Sequence, residues 1–218
     1  HPAPGGVLIV GRDPGEHEVS YRLDEETGEE YPYGRPFVGP AGVLLDKVLA
    51  ELGLRRKDVN ITNVCGTRPP DNLFELHDEA TVLEGLAGLE RLVKQLQPSL
   101  VITLGNEAAW ALLGTQWPTA GRGIFGAKGI EERRGYFWRS ALGPWVLATL
   151  HPAGILRKPV PGHYLLHHDF RRARLWLEGK LPRESIPEHR MLDDAGVRIL
   201  KQHTLVAYDV ETKWDMTS

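Results

Sequence analysis

Four polar residues lie at or just beyond the ends of short strand-like runs. Asp13 follows Val7-Leu8-Ile9-Val10, Asn63 closes the β-branched stretch from Val59 to Val64, Asn106 follows Leu100 to Leu104, and His151 follows Trp145 to Leu150. A carboxylate can position water or steady a developing cation, an amide can both donate and accept, and an imidazole can donate to a developing anion. Asp13 leads the set because Gly11-Arg12-Asp13-Pro14-Gly15-Glu16 holds it in a Pro/Gly turn beside an acidic neighbour. Each residue also has a plainer reading. Asp-Pro-Gly is a common turn, Asn63 suits a turn, and His151 suits the entry to a helix. Asp209 and Glu211, in Tyr208-Asp209-Val210-Glu211-Thr212, form a separate pair. Acids at alternating positions of a strand commonly lie on a solvent face.

The elements that would position these residues alternate along the chain. Leu44, Leu45, Val48, Leu49 and Leu52 recur at helical spacing before Gly53. Val82, Leu86, Leu89, Val93 and Leu96 do so before Pro98. A short helix is expected over Glu107 to Leu113, and a longer one from about His163 to Glu178, with Leu166, Phe170 and Leu177 on its apolar side. Strand and helix in alternation predict an α/β fold, three-layered αβα around a central, mainly parallel four-stranded sheet. The C-terminal ends of parallel strands share one edge, so Asp13, Asn63, Asn106 and His151 are expected to meet in one cleft. Residues 19–34 read as an irregular insertion, and 115–139 show no clear periodicity. The Pro69-Pro70 pair predicts an extended loop.

Beyond the main domain, expected over residues 1–182, the charged stretch 183–203 reads as a linker ending in a short helix. Residues 204–218 then read as the opening of a second domain. At 218 residues the chain can bury a substantial core. Its one cysteine, Cys65, allows neither an internal disulfide nor a cysteine-based metal site. No apolar run is long enough to span a membrane and no signal segment opens the chain, so a soluble, cytoplasmic protein of a reducing compartment is expected, with His1 marking a processed start. The net charge of −3 carries no overall nucleic-acid signature. Acid gathers between Glu16 and Glu30, however, and Arg122 to Arg174 is locally basic.

Taken in order, several stretches resemble the uracil-DNA glycosylase superfamily, most closely its family 4. They are Gly11-Arg12-Asp13-Pro14-Gly15, Gly34-Arg35-Pro36-Phe37-Val38-Gly39-Pro40-Ala41-Gly42, Asn63-Val64 with Arg68-Pro69-Pro70, Leu104-Gly105-Asn106-Glu107-Ala108, Arg134-Gly135, and His151-Pro152 with Ile155-Leu156-Arg157. The resemblance covers residues 7 to about 178 and implies DNA as partner, with uracil flipped from it and its N-glycosidic bond hydrolysed to leave an abasic site. It implies catalytic roles for Asp13, as the water-positioning carboxylate, and for His151, as donor to the uracil oxygen that gains negative charge. Phe37 would stack on the base and Asn63 read its edge, with Arg12 and Gly15 also at the substrate. Arg68, Arg157 and Lys158 would hold phosphates.

The chain departs from the family in three places. Family 4 enzymes bind an iron-sulfur cluster through a set of cysteines; here Thr67 stands where one of them belongs, so no cluster and no other cofactor is expected. Arg12-Asp13 replaces the family's Glu-Ala. Gly15 lacks the bulky tyrosine with which family 1 rejects the thymine methyl group.

The Asp209 and Glu211 stretch resembles the first exonuclease motif of proofreading DNA polymerases, in which the pair would bind magnesium once that domain is complete. The resemblance therefore implies the N-terminal domain of a phage-type DNA polymerase, monomeric and continued into polymerase and exonuclease domains. Two functions remain at this point. The retained Asp13, Phe37, Asn63 and His151 favour a uracil-DNA glycosylase. The missing cluster and Arg12 favour a non-catalytic module that binds DNA or senses uracil for an attached polymerase.

Overall fold

The computed structural model describes residues 5–18, 21–23, 30–32, 35–114, 129–157 and 159–181. The expected linker over 183–203 and the segment 204–218, with Asp209 and Glu211, lie outside the described residues, as does Lys158.

A five-stranded sheet forms the centre, built from β1 (Val7–Gly11), β4 (Asn60–Asn63), β5 (Leu100–Leu104), β6 (Phe137–Arg139) and β7 (Trp145–Thr149) in the order β4-β1-β5-β7-β6. The β4, β1, β5 and β7 strands are mutually parallel, as expected. The fifth strand corrects the expected count. β6 pairs antiparallel with β7, Trp138 opposite Val146, and its three residues are too few to show a period. The 19–34 insertion also holds more order than a loop, since β2 (Tyr21–Leu23) and β3 (Glu30–Pro32) pair as an antiparallel ribbon.

Alternation along each strand divides two cores. Val7 and Ile9 of β1, Leu100, Ile102 and Leu104 of β5, and Leu147 of β7 pack on one face. Covering them are α1 (Pro40–Leu49), α5 (Pro152–Arg157) and α6 (Pro159–Leu177), through Leu45, Val48, Leu49, Ile155, Leu166 and Phe170. Leu8, Val10, Val101, Val146 and Ala148 face the other way, against α2 (Glu79–Leu96) and α3 (Asn106–Leu113). β1 and β5 are fully buried because helices cover both faces of the sheet, which is why they read as continuous apolar runs.

Local chemistry sets most boundaries. Asp78 caps α2 by accepting from the Thr81 backbone N–H at 2.8 Å, and Gln97 ends it in a left-handed conformation before Pro98. α3 begins one residue before the expected Glu107, at Asn106; Gly105, at φ +93°, is the cap and donates its N–H to Thr149 O at 2.9 Å. α6 starts at Pro159, earlier than periodicity suggests, because proline suits a first turn. The Pro-Pro stretch is a tight turn over Pro70–Asn72 rather than an extended loop, with Asp71 and Asn72 both at positive φ. The short helix α4 (Gly129–Arg133) precedes β6.

Candidate active site

The loops after β1, β5 and β7 open onto a cleft of about 800 Å³ at the C-terminal edge of the sheet. Arg12, Asp13, Gly15, Phe37, His151 and Arg157 line it together, joined by Asn72, Asn106, Glu107 and Arg134. Asn63 and Arg68 are not among the lining residues. Arg68 instead lies 3.9 Å from Glu16.

Parallel pairing places Gly11 beside Asn63, and the absent side chain of Gly11 leaves the space two others use. A Cβ on Gly11 would overlap Asn63 Oδ1 and come within 2.7 Å of the Phe37 ring. Asn63 Oδ1 is buried and has no hydrogen-bond partner among the described residues. Asn63 is therefore a spare acceptor at the base of the Phe37 ring.

Phe37 is held from behind. Its backbone sits at φ +60°, an uncommon conformation for a side chain of this bulk, and only 3% of the residue is exposed. Arg56 donates to Pro36 O at 3.0 Å and to Phe37 O, while its Nε donates to Asp46 at 3.1 Å. Gly42 permits the arrangement, because a Cβ there would overlap the Phe37 carbonyl. The ring that results packs 5.6 Å from the His151 ring, tilted by 31°.

His151 is fixed by the helix it precedes. The Ala153 N–H donates to His151 Nδ1 at 3.1 Å, and the His151 carbonyl accepts from Gly154 N at 2.9 Å. An Nδ1 that accepts carries no proton, so the neutral ring bears its hydrogen on Nε2. Burial, with Arg12 and Arg157 nearby, lowers the His151 pKa to about 4. The imidazole is accordingly a neutral donor at physiological pH.

Asp13 and Arg12 form the other half of the cleft. The Asp13 carboxylate is buried; Arg12 Nε lies 2.8 Å from Oδ2, an ion pair without the alignment of a hydrogen bond, and Arg12 Nη2 donates to Oδ1 at 3.3 Å. Arg12 also donates to Asn72 O and Asn72 Oδ1, each at 3.0 Å, and approaches Glu107 at 4.0 Å. Burial raises the Asp13 pKa and Arg12 opposes that shift. Burial raises Glu107 as well. Glu18 reaches over Gly15, with Oε1 3.4 Å from where a Cβ would stand.

A buried ion pair underlies the far wall. Arg134 donates to Asp169 Oδ2 at 2.9 Å and to Oδ1, Thr149 Oγ1 donates to Asp169 Oδ2 at 2.6 Å, and Arg134 reaches Leu165 O at 3.2 Å. Asp169 is fully buried. Sequence reasoning missed Asp169, since an acid inside the helix Leu166 to Leu177 looks solvent-facing. Asn72 and Glu107 were missed in the same way; Glu107 lay within Leu104-Gly105-Asn106-Glu107-Ala108 and Asn72 just past Arg68-Pro69-Pro70, but only the fold brings them to Arg12.

An iron-sulfur cluster does not fit these residues. Such a cluster needs several thiolates, whereas Cys65 is the one cysteine, fully buried, with its pKa pushed up to about 11 by burial. Thr67 is an exposed hydroxyl. Among the described residues no group of three His, Cys, Asp or Glu could hold a metal ion.

The profile described as "Uracil DNA glycosylase superfamily" matches residues 2–174. A type-4 uracil-DNA glycosylase of Pyrobaculum aerophilum is 39% identical over 158 residues, which cover 71% of this chain and 69% of that protein. Those of Saccharolobus solfataricus and Archaeoglobus fulgidus are 33% and 34% identical, covering 80% and 70% of this chain and 72% and 68% of their own lengths.

Proposed function

This chain belongs to the uracil-DNA glycosylase superfamily, and on that premise we propose that it excises uracil from DNA, hydrolysing the N-glycosidic bond to leave an abasic site. The observation that carries the reading is the neutral His151, its Nδ1 occupied by Ala153 and its Nε2–H free to donate in a cleft shared with Asp13. Breaking the glycosidic bond leaves negative charge on the base and positive charge on the sugar. The Nε2–H donates to the uracil oxygen that becomes anionic. Burial chiefly, and the positive field of Arg12 and Arg157 in addition, disfavour protonation of His151, and the same field favours the departing anion.

Asp13 supplies the opposite charge. Its carboxylate steadies the cationic sugar and orients the water that attacks it, with Arg12 opposing the tendency of burial to protonate it. The Phe37 ring shifts off Gly11 to stack on the base, and the spare Asn63 Oδ1 uncovered by that shift accepts from the uracil N3–H. Arg157 is exposed at the rim and suited to a phosphate. The reaction so drawn uses no cluster and no metal.

A gel assay on uracil-containing oligonucleotides, with alkaline cleavage of abasic sites, tests the proposal. Run in chelator, it silences metal-dependent nucleases and leaves base excision untouched. Strand breaks at uracil alone are the expected result, and their absence under single-turnover excess of protein overturns it.

The Arg12–Asp13 ion pair favours a second reading, because a carboxylate neutralised by its neighbour is a weaker catalyst. In it the cleft binds DNA or senses uracil for an attached phage-type DNA polymerase. That attachment rests on Tyr208-Asp209-Val210-Glu211-Thr212 alone. Uracil-dependent binding without excision would select this alternative.

A further inference from the structure

His77, which sequence reasoning passes over, closes the turn Phe74–Leu76. Its side chain is only 3% exposed and stands edge-on to the Phe74 ring, centroids 5.2 Å apart at 78°. Buried among the described residues, His77 Nε2 has no hydrogen-bond partner. Asp13 Oδ2, ion-paired to Arg12 Nε at 2.8 Å, likewise accepts no aligned hydrogen bond, and it lies 3.9 Å from His77 Nε2, both side chains 3% exposed. Two buried polar atoms, the histidine nitrogen without any partner and the carboxylate oxygen with only an ion pair, thus lie across a gap wider than a hydrogen bond by roughly 1 Å. A rotation of either side chain would satisfy both at once.

The charged surroundings are consistent with that pairing. Arg12, on the loop after β1, is ion-paired to Asp13 Oδ2, donates to Asp13 Oδ1 at 3.3 Å and also donates to Asn72. Asp78, next to His77, is engaged by the Thr81 N–H and hydroxyl. Arg68 and Glu18 also act on Asp13, the one favouring and the other opposing its ionised form, and nearby Cys65 is an uncharged thiol. Burial and Arg12 keep His77 neutral, so its Nε2 can donate a hydrogen bond without bringing a second full charge.

We propose that His77 is a positioning residue for Asp13, donating from Nε2 to Asp13 Oδ2 and fixing the orientation in which that carboxylate meets the sugar. The proposal rests on the reading of Asp13 as the carboxylate of a glycosylase. Arg12 grips the carboxylate from one side, and His77 would grip it from the other.

His77→Phe keeps the ring contact with Phe74 and removes the donor. Single-turnover excision should fall roughly tenfold with DNA affinity unchanged. The acid limb of the rate–pH profile should move to higher pH, because a donor to the ionised form lowers a carboxyl pKa and its loss raises it. His77→Gln, whose amide can donate, should restore most of the rate and the position of the limb. A rate lowered equally at every pH, or no rescue by Gln, overturns the proposal.

A second measurement needs no glycosylase activity and no change at His77. Ring resonances of His77 in the whole chain are followed against pH in the unaltered protein and in Asp13→Asn. A facing carboxylate favours the imidazolium, so the midpoint should fall in the variant. Equal midpoints overturn the pairing even if the chain excises uracil, and a lowered midpoint sustains it even if the chain does not.

Discussion

The Ala153 N–H donates to His151 Nδ1 at 3.1 Å, so a helix N-terminus sets the tautomer of a residue in the cleft, while burial sets its charge. A histidine free in solution titrates near pH 6.5, whereas this one is held at about 4. Between those values the unfolded chain takes up a proton that the folded chain refuses. The stability from this group is therefore complete above about pH 6.5 and lost as pH falls toward 4, by no more than about 3 kcal/mol. Urea unfolding at pH 4.5 and pH 7 should show the loss, and His151→Gln should flatten it. The excision rate should show no decline as pH rises through 6.5, since the neutral ring is the working form.

Asp13→Asn keeps shape and removes charge. A charge that acts on the transition state alone changes rate and not ground-state binding. Single-turnover excision should fall by orders of magnitude, while fluorescence anisotropy reports DNA affinity equal or slightly tighter, because Arg12 loses its partner. An unchanged rate would assign the water and the sugar cation to another group.

Asn63→Asp leaves an acceptor where a donor is also required. The expected result is weaker uracil excision with some entry of cytosine, whose edge carries the complementary pattern. Side-by-side assays on the two bases check it; unaltered preference would make Asn63 structural.

Gly42→Ala tests the support of Phe37. At an ordinary helical position alanine stabilises by roughly 1 kcal/mol over glycine. Here a Cβ would overlap the Phe37 carbonyl that Arg56 also holds, so the sign should reverse, with a lower melting temperature and a loss of excision. A stabilised, active variant would show that the Phe37 backbone can move without cost.

Asp169→Asn should cost up to about 3 kcal/mol, the low end for a broken buried pair, because it leaves the part-buried Arg134 guanidinium without its counter-charge. Denaturant titration measures it. Excision should fall too, since Thr149 bonds to Asp169 two residues before His151.

How far the sequence reaches is visible in particular residues. The apolar runs of β1, β5 and β7 and the helical spacing in α1 and α2 were legible because burial on two faces and on one face leave different periods. The convergence of Asp13, Asn106 and His151 followed from strand direction alone. β6 was not legible at three residues, nor was the ribbon of β2 and β3. The removal of Asn63 from the cleft wall was hidden as well, since it depends on where the Phe37 ring lies over Gly11. Asp169 and His77 are the same kind of case. An acid and a histidine in polar stretches give no local sign of burial, and only tertiary packing makes one an anchor and the other a neighbour of Asp13.

The registers Gly11 with Asn63, Val10 with Thr103, and Leu104 with Thr149 make strand length, as much as residue identity, a condition of the site. Deleting one residue from β1 would exchange its two side-chain faces, driving Leu8 and Val10 into the layer of Val7 and Ile9, and would turn Asp13 away from His151. Insertions and deletions in the strands should thus abolish folding and chemistry together. Length changes between β2 and β3 leave the register of the central sheet untouched, so loop lengths there can vary freely while the strands stay fixed in length.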